Sequence, residues 1–331
     1  MSLSGKNVLV TGGAGFIGSN IVKELVKDRA NVIVYDNFSS GDMLNLEEVK
    51  DSIKIVTSDI LHPRFRTVLI ENDVEYVFHL AAEPYIPKCY YYPAKFLEVN
   101  ALGTLKVLRA CKEAKVKRII HYSTSEVYGT AKYVPMNEDH PTRPLSTYAA
   151  SKLAADRLCY TLFHEHKVPV VILRQFNAYG PGETQPYVIP EIITQLSNSN
   201  EVKLGNVKAR RDFTYVEDAA KGAIKLMMCP GIEGEVVNMG SNKNYSIEEL
   251  ALVTGELMGY NSTKIVIDTK RLRPIDVDVL LCDSSKARKL FGWQPEIDIN
   301  EGLRRTIEWF KDHGSVWIWE QKIISEEKMW V

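Results

Sequence analysis

This sequence predicts an α/β fold: a doubly wound parallel sheet followed by a smaller C-terminal lobe. Two observations carry that expectation. From residue 7 to about 175, short β-branched runs alternate with amphipathic helical stretches, the rhythm of strand–helix–strand units. The runs also lack strict apolar/polar alternation, as strands buried on both faces do.

In order, the expected strands are Asn7–Thr11, Asn31–Tyr35, Ile53–Thr57, Tyr76–Leu80, Arg118–Ser123 and Pro169–Leu173. Helical stretches fall between them, around Ile17–Lys27, Asn100–Glu113 and Tyr148–His166. After residue 175 the rhythm breaks, and Gly, Pro, Asn and Arg become denser. The expected division is therefore residues 1–175 as a dinucleotide-binding unit and 176–331 as mostly a substrate-binding lobe. Phe213–Val216 and Val236–Met239 are expected to stay associated with the sheet. All five tryptophans follow residue 292, which suggests a C-terminal helix docked by aromatic side chains.

The first strand runs into Gly12-Gly-Ala-Gly15-Phe-Ile-Gly18. Glycines at 12, 15 and 18 leave room for a pyrophosphate against the free N–H groups of the next helix. This is the phosphate loop of a Rossmann-type unit. Asp36 lies 18 residues beyond Gly18 at the end of the second strand, where a carboxylate accepts from an adenosine ribose. Its charge repels a 2′-phosphate, so NAD is expected over NADP. Asp59, after the third strand, is placed to accept from the adenine amino group. Tyr148 and Lys152 stand four apart in an alanine-rich helix and so share one face. An ammonium near a phenol favours the phenolate, so the Tyr148 pKa is expected to fall.

These motifs, with His79-Leu-Ala-Ala82, Asn100, Gly103-Thr104, Ser123-Thr-Ser-Glu-Val-Tyr-Gly129, Arg174-Gln-Phe-Asn-Ala-Tyr-Gly-Pro-Gly182, Arg211-Asp-Phe-Thr-Tyr215 and Arg273-Pro-Ile-Asp276, cover nearly the whole chain. Together they resemble the extended short-chain dehydrogenase/reductase superfamily, in its nucleotide-sugar epimerase/dehydratase/decarboxylase branch. The resemblance implies that Gly12, Gly15, Phe16, Ile17, Gly18, Asp36, Asn37, Asp59, Ile60, Leu80, Ala81, Ala82, Asn100, Tyr148 and Lys152 hold NAD. It implies catalytic roles for Thr124, Ser125, Glu126, Tyr148 and Lys152. Substrate contacts fall to Glu83, Thr124, Asn177 and Val188, and to Arg211 and Arg273 on the diphosphate, which suits their forked, permanently charged heads.

Members of this branch oxidise a sugar carbon transiently and differ in the step after that oxidation. Glu126, directly after Thr124 and Ser125, favours a dehydratase: once C4 is a ketone, a carboxylate can remove the acidified C5 proton. Ser125 departs from the aspartic acid typical of thymidine-diphosphoglucose dehydratases, which leaves the acid for water departure open. The segment from Ser125 to Pro141 is similar to amino-sugar dehydratases, so UDP-N-acetylglucosamine is the expected substrate. The stretch through Glu183 and the Trp-rich tail with Glu326-Glu327 also resemble a subtype that halts at a 5,6-alkene. A UDP-sugar 4-epimerase, a UDP-glucuronate decarboxylase and a non-catalytic NAD-binding scaffold are the alternatives.

A net charge of −1 argues against whole-protein attraction to nucleic acid or anionic membrane. The opening MSLSGKNVLV reads as a first strand and not as a secretion signal, and no apolar run approaches the roughly 20 residues that span a bilayer. The five cysteines are scattered, with no CxxC pair, which suggests reduced thiols in the cytoplasm and no metal site. The helices Asn100–Glu113 and Tyr148–His166 match those that pair across a two-fold axis in the superfamily, so a homodimer is expected.

Overall fold

The computed structural model describes residues 2–314. Its first half is built of β1 (Asn7–Thr11), α1 (Phe16–Lys27), β2 (Asn31–Asp36), β3 (Ile53–Thr57), α2 (Arg64–Glu71) and β4 (Tyr76–His79). Two single-turn helices, α3 (Ile86–Cys89) and α4 (Pro93–Phe96), lead into a π-helical stretch, Leu97–Gly103, and then α5 (Thr104–Glu113). The half closes with β5 (Arg118–Thr124), α6 (Thr147–His166) and β6 (Val170–Gln175).

The second half contains β7 (Asn177–Tyr179), α7 (Val188–Leu196), β8 (Glu201–Leu204), β9 (Arg210–Tyr215), α8 (Val216–Met228) and β10 (Val236–Met239). It continues with β11 (Asn244–Ser246), α9 (Ile247–Leu257), β12 (Lys264–Ile267), α10 (Ser285–Phe291) and α11 (Ile299–His313).

A seven-stranded sheet in the order β10-β6-β5-β4-β1-β2-β3 forms the centre, and every pairing in it is parallel. The chain moves outward from β1 through β2 to β3 and then crosses back to β4 on the other side of β1. That reversal opens a crevice at the carboxyl ends of β1 and β4, where such sheets bind ligands. Alternate residues of each strand face opposite layers. Val8 and Val10 pack beneath Ile21 and Leu25 of α1 and Leu226 of α8. Leu9 and Val77 pack beneath Val68 of α2, Val107 of α5 and Cys159 of α6.

Val236–Met239 does join the main sheet, beside β6. Phe213–Val216 does not: β9 belongs to a separate three-stranded sheet with β11 and β7, and Val216 already begins α8. The expected helix Asn100–Glu113 also starts differently. Its first residues lie in the π-helical stretch, because the Asn100 side chain is turned inward and buried. Wide turns of this kind are frequent at functional sites.

Trp293 is buried in the loop after α10, its indole N–H donating to the Asp218 carbonyl at 3.1 Å. The helix α11 docks through Leu303, Ile307 and Phe310, with Trp309 partly buried against the same cluster and stacked on His313 with ring centroids 4.4 Å apart, so aromatic side chains do share in docking it. Trp317, Trp319, Trp330 and the Glu326-Glu327 pair lie outside the described residues. All five cysteines are buried and unpaired. Among the described residues, no helix is long and apolar enough to cross a membrane.

Candidate active site

A cleft of about 710 Å3 runs along the carboxyl edge of the sheet, walled on its far side by the smaller lobe. The loop after β1 forms its floor. Gly12 has φ +69°, and a Cβ there would stand 2.8 Å from the amide nitrogen of Ala81. A Cβ on Gly18 would fall on the carbonyl oxygen of Gly12, so helix and turn touch only because both are glycine. No side chain caps α1, so amides of its first turn are free for an anion in the cleft.

Asp36 fits a ribose. Its carboxylate accepts from the Ala14 N–H at 2.9 Å and the Phe38 N–H at 2.8 Å, one bond per oxygen. A second lone pair remains on each oxygen for ligand hydroxyls. Burial pushes its pKa up, against the pull of those backbone N–H groups. Asn37 donates to Asp59 Oδ2 at 2.8 Å, which joins the two polar residues at this end. Uncapped amides, glycine clearance and a partly satisfied acidic acceptor together suit a dinucleotide.

At the centre, α6 carries Tyr148, Lys152 and Asp156 on successive turns of one face. The Thr124 hydroxyl hydrogen-bonds the Tyr148 phenol and pulls its pKa down, but burial dominates and pushes it well up, with the Glu126 charge adding to the rise. Lys152, expected to lower it, is not among the influences on the phenol; its ammonium donates to the Tyr122 carbonyl. Burial brings the Lys152 pKa down to about 8, against the pull of Cys159 and Asp156. Beneath it, His79 bridges the hydroxyls of Thr11 at 2.8 Å and Thr104 at 3.0 Å. Burial holds that imidazole neutral, its pKa brought down to about 3, with Lys152 acting in the same direction. Thr124 also caps the single turn Ser125–Tyr128, accepting from the Glu126 N–H at 3.2 Å. Strand β5 therefore delivers Thr124, Ser125 and Glu126 to the cleft wall together.

At the other end, Arg211 and Arg273 converge on one carboxylate, Asp276, at 3.2 and 3.6 Å. Two guanidiniums against one carboxylate leave net positive charge for a diphosphate. Asn177 offers a side-chain oxygen that is buried and without a partner among the described residues. Glu83 is tied to Lys95 at 3.0 Å.

Each residue expected at the site lines this cleft except Asn100. That side chain instead accepts from the Glu83 N–H at 2.8 Å and donates to the Glu83 carbonyl at 3.2 Å and to Ser151 Oγ at 2.9 Å. It positions the wall and does not face the cleft. Reading the sequence missed the aromatic wall of Tyr85, Tyr90 and Tyr187, and also Gln175, Glu183 and Gln185. The tyrosine-dense stretch from 85 to 92, just past a strand end, was the available signal.

Fold and cleft define a dinucleotide-dependent enzyme with a second, anion-binding compartment. Residues 9–306 match the family described as GDP-mannose 4,6 dehydratase, and the chain belongs to that family. It is 32% identical to human dTDP-D-glucose 4,6-dehydratase over 94% of this chain and 92% of that one. It is 35% identical to a UDP-N-acetyl-alpha-D-glucosaminuronate decarboxylase of Bacillus cytotoxicus, over 93% and 98%. The UDP-glucuronic acid 4-epimerase of Bacillus cereus, solved with UDP-glucuronic acid and NAD, superposes with a TM-score of 0.85 at 29% identity, covering 93% and 99%.

Proposed function

We propose that this chain is an NAD-dependent dehydratase of a nucleotide-activated sugar, with UDP-N-acetylglucosamine as substrate. Bound NAD supplies a hydride acceptor for C4 and later a donor. The protein's own groups do the rest. Tyr148 Oη takes the C4 hydroxyl proton, held by the Thr124 hydroxyl. Lys152 fixes the nicotinamide ribose, and Asp36 with Asn37 and Asp59 takes the adenosine end. Glu126 removes the proton at C5, and water leaves from C6. Return of the hydride to C6, with a proton to C5, gives a 4-keto-6-deoxy sugar; its return to C4 instead gives the 5,6-alkene. Asn177, Val188, Arg211 and Arg273 hold the sugar diphosphate, and Glu83 faces the sugar. The division at residue 175, a cytoplasmic location and a two-fold homodimer belong to the same proposal; five buried free thiols suit a reducing compartment.

One observation carries the choice of elimination. Glu126 lines the cleft beside Thr124, close enough to Tyr148 for its charge to oppose the phenolate. An epimerase needs only the redox pair and rotation of the sugar, so a carboxylate there has no task in that reaction.

The test is Glu126→Gln. An amide has no useful basicity at neutral pH, so C4 oxidation should persist while C5 proton removal stops. Bound NADH should accumulate, C5 should exchange no deuterium with solvent, and turnover should fall by about 10²–10⁴-fold or more. Near-normal water loss in this variant would place the base elsewhere. With the unaltered protein, mass spectrometry on UDP-, GDP- and dTDP-sugars separates loss of water from loss of carbon dioxide or no change, which would select a decarboxylase or an epimerase.

A further inference from the structure

The loop between β7 and α7 carries a group that the proposed reaction leaves without a role. Glu183 is 4% exposed and lines the cleft, yet its Oε2 has no hydrogen-bond partner among the described residues. Leaving a buried carboxyl oxygen unmatched is costly, so a ligand group is the natural partner. The loop itself is anchored. Asn45 Nδ2 donates to the Gly182 carbonyl at 3.0 Å and to the Ala14 carbonyl of the phosphate loop at 3.3 Å, which fixes Glu183 relative to the cofactor end. Tyr187, in the same loop, lines the cleft together with Glu183 and Tyr148.

Its surroundings are polar but uncharged. Gln175 Oε1, Asn177 Oδ1 and Gln185 Oε1 are likewise buried and unpartnered, and all belong to residues lining the same cleft. Each is an acceptor that a ligand hydroxyl or amide could match.

We propose that Glu183 reads the sugar: it hydrogen-bonds a hydroxyl or amide of an uncharged hexose and disfavours a hexuronate. This rests on the cleft being a nucleotide-sugar site, as proposed above. Burial raises the Glu183 carboxyl well above the usual carboxylate range, so at neutral pH it is an acid that donates as well as accepts. A uronate brought to the same place would meet no cation there, since burial is the one influence on the Glu183 carboxyl.

The test uses purified, NAD-loaded protein and calorimetric titration with UDP, UDP-glucose, UDP-N-acetylglucosamine and UDP-glucuronate. The uncharged sugars should bind at least tenfold more tightly than UDP-glucuronate. Glu183→Gln, which keeps a neutral donor in place, should hold the sugar affinities within about threefold. Glu183→Ala should lose about tenfold for the uncharged sugars, a typical cost for one buried hydrogen bond, and nothing for UDP alone. A structural defect would weaken UDP equally. Infrared difference spectra give a readout independent of how the alanine variant folds: a protonated-carboxyl band should shift on binding UDP-glucose but not UDP, and vanish in Glu183→Gln.

Equal binding of UDP-glucuronate and UDP-glucose overturns the inference. So does a Glu183→Gln variant as impaired as Glu183→Ala, or a spectrum without that band. If these tests fail while UDP-glucose still loses water, the reading of Glu183 falls and the dehydratase stands. If no nucleotide sugar binds, the dehydratase reading falls and takes Glu183 with it.

Discussion

Burial sets the protonation of the central side chains more strongly than their neighbours do. Tyr148 is raised, and His79 and Lys152 are lowered, with desolvation the first cause each time. The consequence for stability is clearest at Lys152. Its folded pKa is about 8 against an ordinary 10.5, so between those values the unfolded chain binds more proton than the folded one. Stability from this group therefore rises as pH climbs from about 8 to 10.5, and the full cost of burying the charge is present below 8. At about 1.4 kcal/mol per pH unit the window amounts to roughly 3 kcal/mol. Urea titrations of the parent and Lys152→Met at pH 8 and pH 10 isolate it: the parent should gain on the variant by part of that amount. A constant difference between the two pH values would mean that Lys152 titrates as an exposed lysine does.

At the level of elements, the parallel strands were legible because buried strands must be β-branched runs, and Asn7–Thr11 and Ile53–Thr57 match to the residue. The motif residues were legible too, since Thr124, Tyr148 and Asp36 are fixed by their distance from strand and helix ends. What escaped depends on contacts between distant segments. The small sheets pair β7 with β9 and β8 with β12, and nothing local in either partner announces the other. Glu183 sits in a loop whose course is decided by Asn45, far away in sequence. The π-helical stretch was hidden for the same reason: Asn100 is turned inward by bonds to Glu83 and Ser151. Those bonds tie the loop after β4 to α6, the helix bearing Tyr148, and Ser151 Oγ passes the tie to the Tyr148 carbonyl at 2.7 Å. Asn100→Ala should therefore cost about 1–3 kcal/mol for the stranded buried groups and lower kcat along with stability. An unchanged urea midpoint would show that water replaces the amide without loss.

For the whole molecule, a dimer built on α6 would bear on the site through the helix that carries Tyr148 and Lys152. The surface beside that helix is apolar. Leu97 and Leu102 on the π-helical stretch are 48% and 45% exposed, and Tyr160 on α6 is 43% exposed. The stretch and the helix are neighbours in the fold, which places these side chains on adjoining elements. A two-fold axis there would pair the surface with its own copy, as isologous interfaces require, and a stable contact needs about 800 Å2 from each partner. Light scattering at micromolar concentration should give twice the chain mass. Leu102→Glu combined with Tyr160→Glu places like charges on both sides of such an axis and should return a folded monomer. With the proposed cofactor and substrate residues left in place, that monomer should still bind NAD and form the same product, with turnover reduced by looser support of α6. A monomeric parent protein would remove the axis from this surface, and a variant that stays dimeric would move it to another face.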